Sequence, residues 1–269
     1  MTTEAGQHLD TTELEARVKA MYEQVANEPD HEFHFETGRT LAERLGYPTV
    51  DLDAIPAGAI ESFAGVGYFQ DLAAIEPGHT VLDLGSGSGT DSFIAAVHTG
   101  ATGTVIGVDM TAAQRTKATR LAAEAGIGNV EFRDGYIETP PVDPATIDCV
   151  ISNGVINLAP VKSTVFTAAA TALRPGGRLA ISDIVTAVAL PEGVTCDAAL
   201  WAACIGGAAQ RDDYLATIEA AGFRIEEVRD NPQYEFISDR ALGATTTYGV
   251  TSVSILATRR LSAGQADRR

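Results

Sequence analysis

The chain is 269 residues long and strongly acidic, with a formal net charge of −17 and a pI near 4.6. A field of that sign repels phosphate backbones, so we expect no nucleic acid among its partners. Its apolar runs are shorter than the roughly 18 residues that a membrane-spanning helix needs, and residues 1–10 lack the pattern of a secretory signal. We therefore expect a cytoplasmic protein with no membrane partner.

Helical spacing of apolar residues predicts two N-terminal helices, over residues 11–27 and 36–45. We expect residues 1–70 to form a helical lobe or lid. The segment before the second helix carries His31 and His34 among carboxylates, which would suit a metal or a general base if the segment folds over a site. A metal would need a third ligand that the sequence does not offer, so no metal is predicted, and His34 is the candidate base.

A glycine-rich loop follows a predicted strand over residues 79–84 and is the most informative stretch. Gly85, Gly87 and Gly89 alternate with small residues, and Asp83 stands two positions before the first glycine. A dinucleotide loop has the spacing G-x-G-x-x-G and directs a helix N-terminus at a pyrophosphate, which this acid would repel. S-adenosylmethionine fits better, because it has no phosphate and carries an ammonium and a sulfonium. The loop favours this methyl donor and leaves an NAD-dependent dehydrogenase as the weakest rival.

The next predicted strand, over residues 104–109, ends in a second acid. It lies about 20 residues after the glycine-rich loop, where nucleotide-type cofactor sites usually have an acid that binds the ribose. Asp109 can accept hydrogen bonds from both ribose hydroxyls, and Met110 is placed to lie against an adenine face. The alternative is that Asp109 only caps the helix that opens near Thr111. Agreement with the preceding loop favours the cofactor interpretation.

Strands and helices alternate from residue 80 onward, which predicts a parallel sheet covered on both faces. The fold class is α/β, a Rossmann-like doubly wound sheet that we expect to occupy residues 71–260. An insertion at residues 186–209 is long enough to cover a substrate, and residues 261–269 form a polar, flexible tail. Further predicted strands cover residues 130–133, 147–152, 178–183 and 223–229, and predicted helices cover 88–98, 111–125, 162–173 and 211–221.

Several motifs follow the loop in a recognisable order. They are Gly135-Tyr136-Ile137-Glu138, the octet from Ile151 to Leu158, and the run from Leu173 to Leu179. With them the chain resembles class I S-adenosylmethionine-dependent methyltransferases, and within that class it is most similar to arsenite methyltransferases. The resemblance implies a seven-stranded, mostly parallel sheet whose last strand, here residues 248–257, is antiparallel.

The resemblance also implies which residues hold S-adenosylmethionine. It implies in addition that S-adenosylhomocysteine is the product that remains after methyl transfer. Asn153 and Val155 would flank the reactive sulfonium. The remaining cofactor-binding residues would surround the methionine part, the ribose and the adenine: Asp83, Gly85, Ser86, Gly87, Gly89, Asp109, Met110, Gly135, Tyr136 and Ile137.

The cysteines depart from the arsenite-methylating pattern, although As(III) needs soft thiolate ligands. Gly154 stands where those enzymes usually carry a cysteine, and Val66 stands where they often have another. Cys204 matches, and Cys196 lies eight residues earlier, so both thiols could face one side of a continuous helix. Cys149 is most simply a small core residue.

Methyl transfer from a sulfonium requires in-line positioning of the acceptor, and a base only if the acceptor must lose a proton. Candidate catalytic residues are Asn153, His34 and Asp183. For each aromatic candidate of the pocket, ordinary core packing is the alternative. Candidate acceptor-pocket residues lie in segments that flank the cofactor loop: Tyr68, Phe69, Asn157, Trp201, Cys204 and Tyr214.

The sequence therefore predicts an S-adenosylmethionine-dependent methyltransferase acting on a small molecule. One alternative is an arsenite, or other metalloid, methyltransferase. An alternative of another class is a non-catalytic S-adenosylmethionine-binding sensor or partner protein. A homodimer is compatible with the sequence, but no feature of it demonstrates one.

Overall fold

The computed structural model describes residues 9–195, 201, 205–237 and 239–261. Its centre is a mostly parallel sheet. The strands, in chain order, are β1 Thr80–Leu84, β2 Thr104–Asp109, β3 Val130–Asp134, β4 Ile147–Asn153, β5 Leu173–Thr186, β6 Ala209–Gln210, β7 Phe223–Asp230 and β8 Thr251–Arg259.

Helices cover the sheet and form the N-terminal part of the chain. The first five are α1 Thr11–Asn27, α2 Arg39–Leu45, α3 Thr49–Asp53, α4 Ala57–Glu61 and α5 Gln70–Ala73. The others are α6 Thr90–Thr99, α7 Ala112–Ala125, α8 Lys162–Ala172, α9 Glu192–Thr195, α10 Arg211–Ala220 and α11 Asp239–Tyr248. No helix among the described residues is both long and apolar enough to cross a bilayer.

The main path through the sheet has the order β3-β2-β1-β4-β5-β8-β7. Neighbours from β3 to β5 are parallel, whereas β8 runs antiparallel to both β5 and β7. The predicted seven-stranded Rossmann-like fold with an antiparallel last strand is thereby confirmed. The sequence did not predict the two-residue strand β6, which pairs with the end of β5.

The N-terminal helices pack on the sheet's covering helices rather than standing apart from them. Leu41, Leu52 and Phe63 share one hydrophobic cluster with Phe93 of α6 and Leu121 of α7. A second cluster lies across the sheet from it and joins apolar residues of the strands to α8 and α10. The elements before residue 71 are therefore attached to the sheet domain in part through α6 and α7.

Several element boundaries differ from the predicted ones. The second helix starts at Arg39 instead of residue 36, after Gly38, whose φ is +90°. The helix after the cofactor loop starts at Thr90 instead of residue 88, because Gly89 adopts φ +96° and ends the turn. The last strand starts at Thr251 because residue 248 ends α11.

Candidate active site

A cavity of about 300 Å³ opens at the carboxyl ends of β1, β2 and β4. In open parallel sheets this edge, where the strand order reverses around β1, is the usual place for a ligand. All but one of the cofactor residues implied by the resemblance line the cavity: Asp83, Gly85, Ser86, Gly87, Asp109, Met110, Gly135, Tyr136, Ile137, Asn153 and Val155. The exception is Gly89, which forms the N-cap of α6.

Two of the loop glycines are required by the backbone itself. Gly85 has φ +76°, and a Cβ there would lie 2.5 Å from the side chain of Val155. Gly89 has φ +96°, and its Cβ would lie 2.8 Å from the rings of Phe93 and Phe132. A side chain at either position would be strained and would collide, so the loop keeps its shape only with glycine.

Asp109 organises the loop as well as facing the cavity. Its Oδ2 accepts a hydrogen bond of 2.9 Å from the backbone N–H of Gly87, and its Oδ1 accepts one of 2.7 Å from Thr111. Thr111 is the N-cap residue of α7 and the helix start has no side-chain cap, so this bond fixes the turn before the helix rather than capping the helix. Each carboxylate oxygen has a second lone pair, so Asp109 can still accept from a ligand hydroxyl.

Asp83 is a buried acid at the floor of the cavity, with only 2% of its surface exposed. Burial raises the pKa of Asp83 to about 8, and the neighbouring charge of Asp91 acts in the same direction. A hydrogen bond of 2.6 Å from the Ser92 hydroxyl to Oδ2 partly opposes this shift. Asp83 is therefore largely protonated near neutral pH, and a cationic ligand beside it would lower this pKa again.

Asp91, in the first turn of α6, is a second acid in the cavity wall. Its carboxylate accepts hydrogen bonds from the Tyr47 hydroxyl at 2.6 Å, from Gln70 Nε2 at 2.9 Å and from Asn153 Nδ2 at 3.2 Å. Burial raises the pKa of Asp91, and these three donors lower it. Sequence reasoning gave Asp91 no role, since its donors come from distant parts of the chain.

Asn153, at the end of β4, has its side chain fully engaged within the protein. Its Oδ1 accepts from the Val66 N–H at 2.8 Å, and its Nδ2 donates to the Tyr47 hydroxyl at 2.9 Å and the Gly67 carbonyl at 3.0 Å. An amide held on both sides in this way can position the cavity wall. It has little capacity left to move a proton, so the geometry favours a positioning role over a catalytic one.

Ser86 supplies an observation that points directly to a ligand. Its hydroxyl oxygen is buried in the cavity wall and has no hydrogen-bond partner in the structure. Buried hydroxyls in native proteins are nearly always satisfied, so this one is a candidate partner for a polar group of a molecule bound in the cavity that Ser86 lines. Together with three acids, this donor set fits a polar, positively charged nucleoside.

Helix α1 forms the roof of the cavity, which the sequence predicted only as a general lid. Thr11, Thr12, Leu14, Glu15, Val18 and Tyr22 line the cavity from this side. The Tyr136 hydroxyl donates to Glu15 Oε1 at 2.7 Å, and Lys19 Nζ lies 5.2 Å from the Tyr136 ring centre. Nothing in the local sequence indicates that α1 reaches Tyr136, because the contact spans more than a hundred residues.

Those predicted acceptor-pocket residues that the structure describes are not among the residues that line the cavity. Phe69 and Tyr214 are buried in hydrophobic clusters, and Asn157 and Trp201 are also buried. Tyr68 is half-buried against the N-terminal helices. Core packing explains these large side chains, as it usually does for aromatic residues. Cys204 lies outside the described residues.

The two remaining candidate bases also lie away from the cavity. His34 packs edge-on against Phe35, in a group of aromatic rings next to Tyr22. Asp183 is completely buried and accepts from the Tyr214 hydroxyl at 2.6 Å and from the Ile184 N–H at 2.8 Å. Within the described part of the chain, no group of three or more metal-ligand side chains occurs. A base role for His34 or Asp183 stays a prediction without support from this geometry.

The fold and the cavity together are those of a Rossmann-like methyltransferase domain. The methyltransferase domain family matches residues 75–222, more than half of the chain. The chain belongs to this family, and the family predicted from its motifs is confirmed.

Individual relatives carry more specific names. The chain is 44% identical over 205 residues to an arsenite methyltransferase from Halobacterium salinarum, across 76% of this chain and 52% of that protein. It is 34% identical to nocamycin O-methyltransferase from Saccharothrix syringae, across 48% of each. It therefore spans about half the length of these curated relatives.

A solved structure agrees with the sequence relatives. An arsenic(III) S-adenosylmethionine methyltransferase from Chlamydomonas reinhardtii superposes with a TM-score of 0.62 at 29% identity. The similarity covers 85% of this chain and 75% of that one.

Proposed function

We propose that the chain catalyses transfer of a methyl group from S-adenosylmethionine to a small molecule. The observation that carries the proposal is the cavity wall, which combines the acids Asp83, Asp91 and Asp109 with Ser86, whose buried hydroxyl has no hydrogen-bond partner. Bound S-adenosylmethionine would supply an electrophilic methyl group on a sulfonium. Its ammonium, sulfonium and hydroxyls are the groups that such a wall can accommodate.

The chain's own residues would bind and orient rather than exchange protons. Asp83 would face the ammonium, Asp109 would accept from the ribose hydroxyls, and Asn153 with Val155 would shape the reacting end. The α1 roof would exclude water, which raises the benefit of holding donor and acceptor in line. A soft nucleophile needs no base under these conditions, whereas a hydroxyl acceptor would need one.

Calorimetry with S-adenosylmethionine and with S-adenosylhomocysteine tests the cofactor. We expect both to bind, and the absence of heat with either would overturn the proposal. Incubation with methyl-labelled donor and a metabolite extract then tests turnover. Binding without any labelled product would favour the non-catalytic sensor over the enzyme.

Arsenite is a second candidate acceptor, favoured by the names of the relatives. The described residues do not add a thiol to the cavity, since Cys149 is buried in β4 and burial raises its thiol pKa to about 12. Gly154 stands where arsenite methyltransferases usually carry a cysteine. It lies against Val66, and a Cβ added to Gly154 would come within 3.1 Å of Val66 Cγ1. A thiolate site would therefore depend on Cys196 and Cys204, both outside the described residues.

The arsenite candidate is tested with Cys204→Ser. If thiolates capture the metalloid, the variant should lose arsenite methylation and keep its affinity for S-adenosylmethionine. Retained arsenite methylation would exclude this thiolate.

An acidic protein of this charge is expected to act on a small molecule and not on nucleic acid. A cytoplasmic location and a homodimer stay predictions.

A further inference from the structure

A chain of buried hydrogen bonds connects the N-terminal segment to the cavity wall. The Tyr47 hydroxyl donates to Asp91 Oδ1 at 2.6 Å and accepts from Asn153 Nδ2 at 2.9 Å. Tyr47 is 3% exposed and does not line the cavity, whereas Asp91 and Asn153 do. The Tyr47 hydroxyl therefore reaches the site through these two residues, and the Tyr47 ring packs edge-on against Phe63, which also lines the cavity.

The pattern of donors fits an ionised Asp91. Tyr47, Gln70 and Asn153 all donate to its carboxylate, and a carboxylate that accepts several hydrogen bonds is stabilised in its charged form. The titratable groups that face Asp91 are Tyr47, Asp83 and Tyr68. Since Asp83 and Asp91 repel each other, the proton is expected on Asp83, which has one side-chain donor, and the charge on Asp91.

We propose that Tyr47 is a positioning residue that keeps Asp91 charged at the cavity wall, so that the site prefers the sulfonium donor over its uncharged thioether product. The inference rests on the proposed function. S-adenosylmethionine carries one more positive charge than S-adenosylhomocysteine but has nearly the same shape. The charge of Asp91 therefore acts on the two ligands differently, whereas packing acts on both alike.

The test is calorimetry with both ligands on the wild type, Tyr47→Phe and the matched control Tyr214→Phe, between pH 7 and 9. Tyr214 is an equally buried tyrosine that donates to another carboxylate, Asp183, also at 2.6 Å. At pH 7, Tyr47→Phe should weaken donor binding about tenfold and product binding less than about twofold. The difference should shrink at pH 9, because a higher pH favours the ionised form of Asp91 in the variant as well. The control should keep the wild-type ratio of the two dissociation constants.

The inference would be overturned if Tyr47→Phe left the ratio of the product's dissociation constant to the donor's unchanged, which is also the result of an equal loss of affinity for both ligands. Tyr47→Phe added to Asp91→Asn should not lower the ratio further, because the charge is already gone, and a further fall would contradict action through Asp91. If Tyr47→Phe does not fold, Gln70→Met removes another donor to the same oxygen and should shift the ratio in the same direction. A wild type that binds neither ligand would refute the proposed function instead.

Discussion

Two buried carboxylates in this chain have nearly the same immediate surroundings but different positions. Asp91 and Asp183 each accept a 2.6 Å hydrogen bond from a buried tyrosine. Asp91 lies in the cavity wall, whereas Asp183 is sealed in the core and has Lys162 close enough to affect its pKa. A buried acid–tyrosine pair therefore does not by itself mark a site; access to a cavity does.

The cavity wall and the core around Asp183 also differ in whether a basic side chain lies near the buried acids. Lys162 acts on Asp183 to lower its pKa, against burial that raises it to about 6. No lysine or arginine among the described residues contributes to the pKa of Asp83 or Asp91. A cation that enters the cavity would therefore meet buried acids that the protein itself leaves uncompensated.

The largest expected effect comes from removing the acid at the cavity floor. Asp83→Asn should weaken S-adenosylmethionine binding by about 100-fold or more, because a buried charge pair with the ammonium is lost. Calorimetry measures this, with Asp183→Asn as the comparison, whose donor affinity should not change. Equal losses in the two variants would remove the distinction between cavity and core. Loss of turnover with intact binding in Asp183→Asn would instead support its predicted role as a base.

The next effect concerns stability rather than binding. Tyr214→Phe leaves the Asp183 carboxylate without one donor and should lower the free energy of unfolding by about 1–3 kcal/mol. Urea unfolding measures this loss, and the donor's dissociation constant should stay at the wild-type value. A changed dissociation constant would show that the Asp183 region is coupled to the cavity after all.

Donor binding should also depend on pH through Asp83. Since the ligand's cation favours the ionised acid, affinity should fall about tenfold for each pH unit below the pKa of about 8 and level off above it. Binding near pH 7 should release a proton, which calorimetry detects in buffers with different ionisation heats. A flat pH profile between 6 and 8 would mean that Asp83 is already charged without ligand.

The stability of the ligand-free protein should decrease as the pH rises, whereas the affinity for the donor should increase. The pKa of Asp83 is higher in the folded chain than its usual 3.8, so the folded state holds the proton more tightly. This contribution is complete at low pH and is lost as the pH rises through about 8. Asp183, with its pKa near 6, acts in the same sense. The melting temperature should therefore fall from pH 6 to pH 8, and less steeply in Asp83→Asn.

The smallest expected effect belongs to the orphaned hydroxyl. Ser86→Ala removes a buried group that has no partner in the ligand-free protein, so its melting temperature should stay the same or rise slightly. Donor affinity should fall about fivefold, the value of one hydrogen bond of about 1 kcal/mol. A lower melting temperature with unchanged affinity would place the partner of Ser86 within the protein.

Local sequence was sufficient for seven of the eight described strands, all but β6, and for the cofactor edge of the sheet. The alternation of strands with helices predicted the fold, and Asp83, Asp109 and the glycines were found because strand ends and turns are encoded over a few residues. Tyr68, Phe69 and Tyr214 were less predictable, since an aromatic residue in the right segment can point into the core or into a cavity. Asp83 also differs from its expected state: burial lets it hold a proton until a cation arrives.

The sequence by itself determined the α/β class, the order of the elements and the acids that end β1 and β2, because hydrophobic periodicity and turn chemistry are local. Only the tertiary structure decided that α1 covers the cavity, that Tyr47 reaches Asp91, and that the side chain of Asn153 is engaged within the protein. The contacts of Tyr47 and Asn153 join residues from 44 to 106 positions apart, and the contact of α1 with Tyr136 joins residues 121 positions apart. Their geometry depends on how the helices pack over the sheet, which no short stretch of sequence encodes.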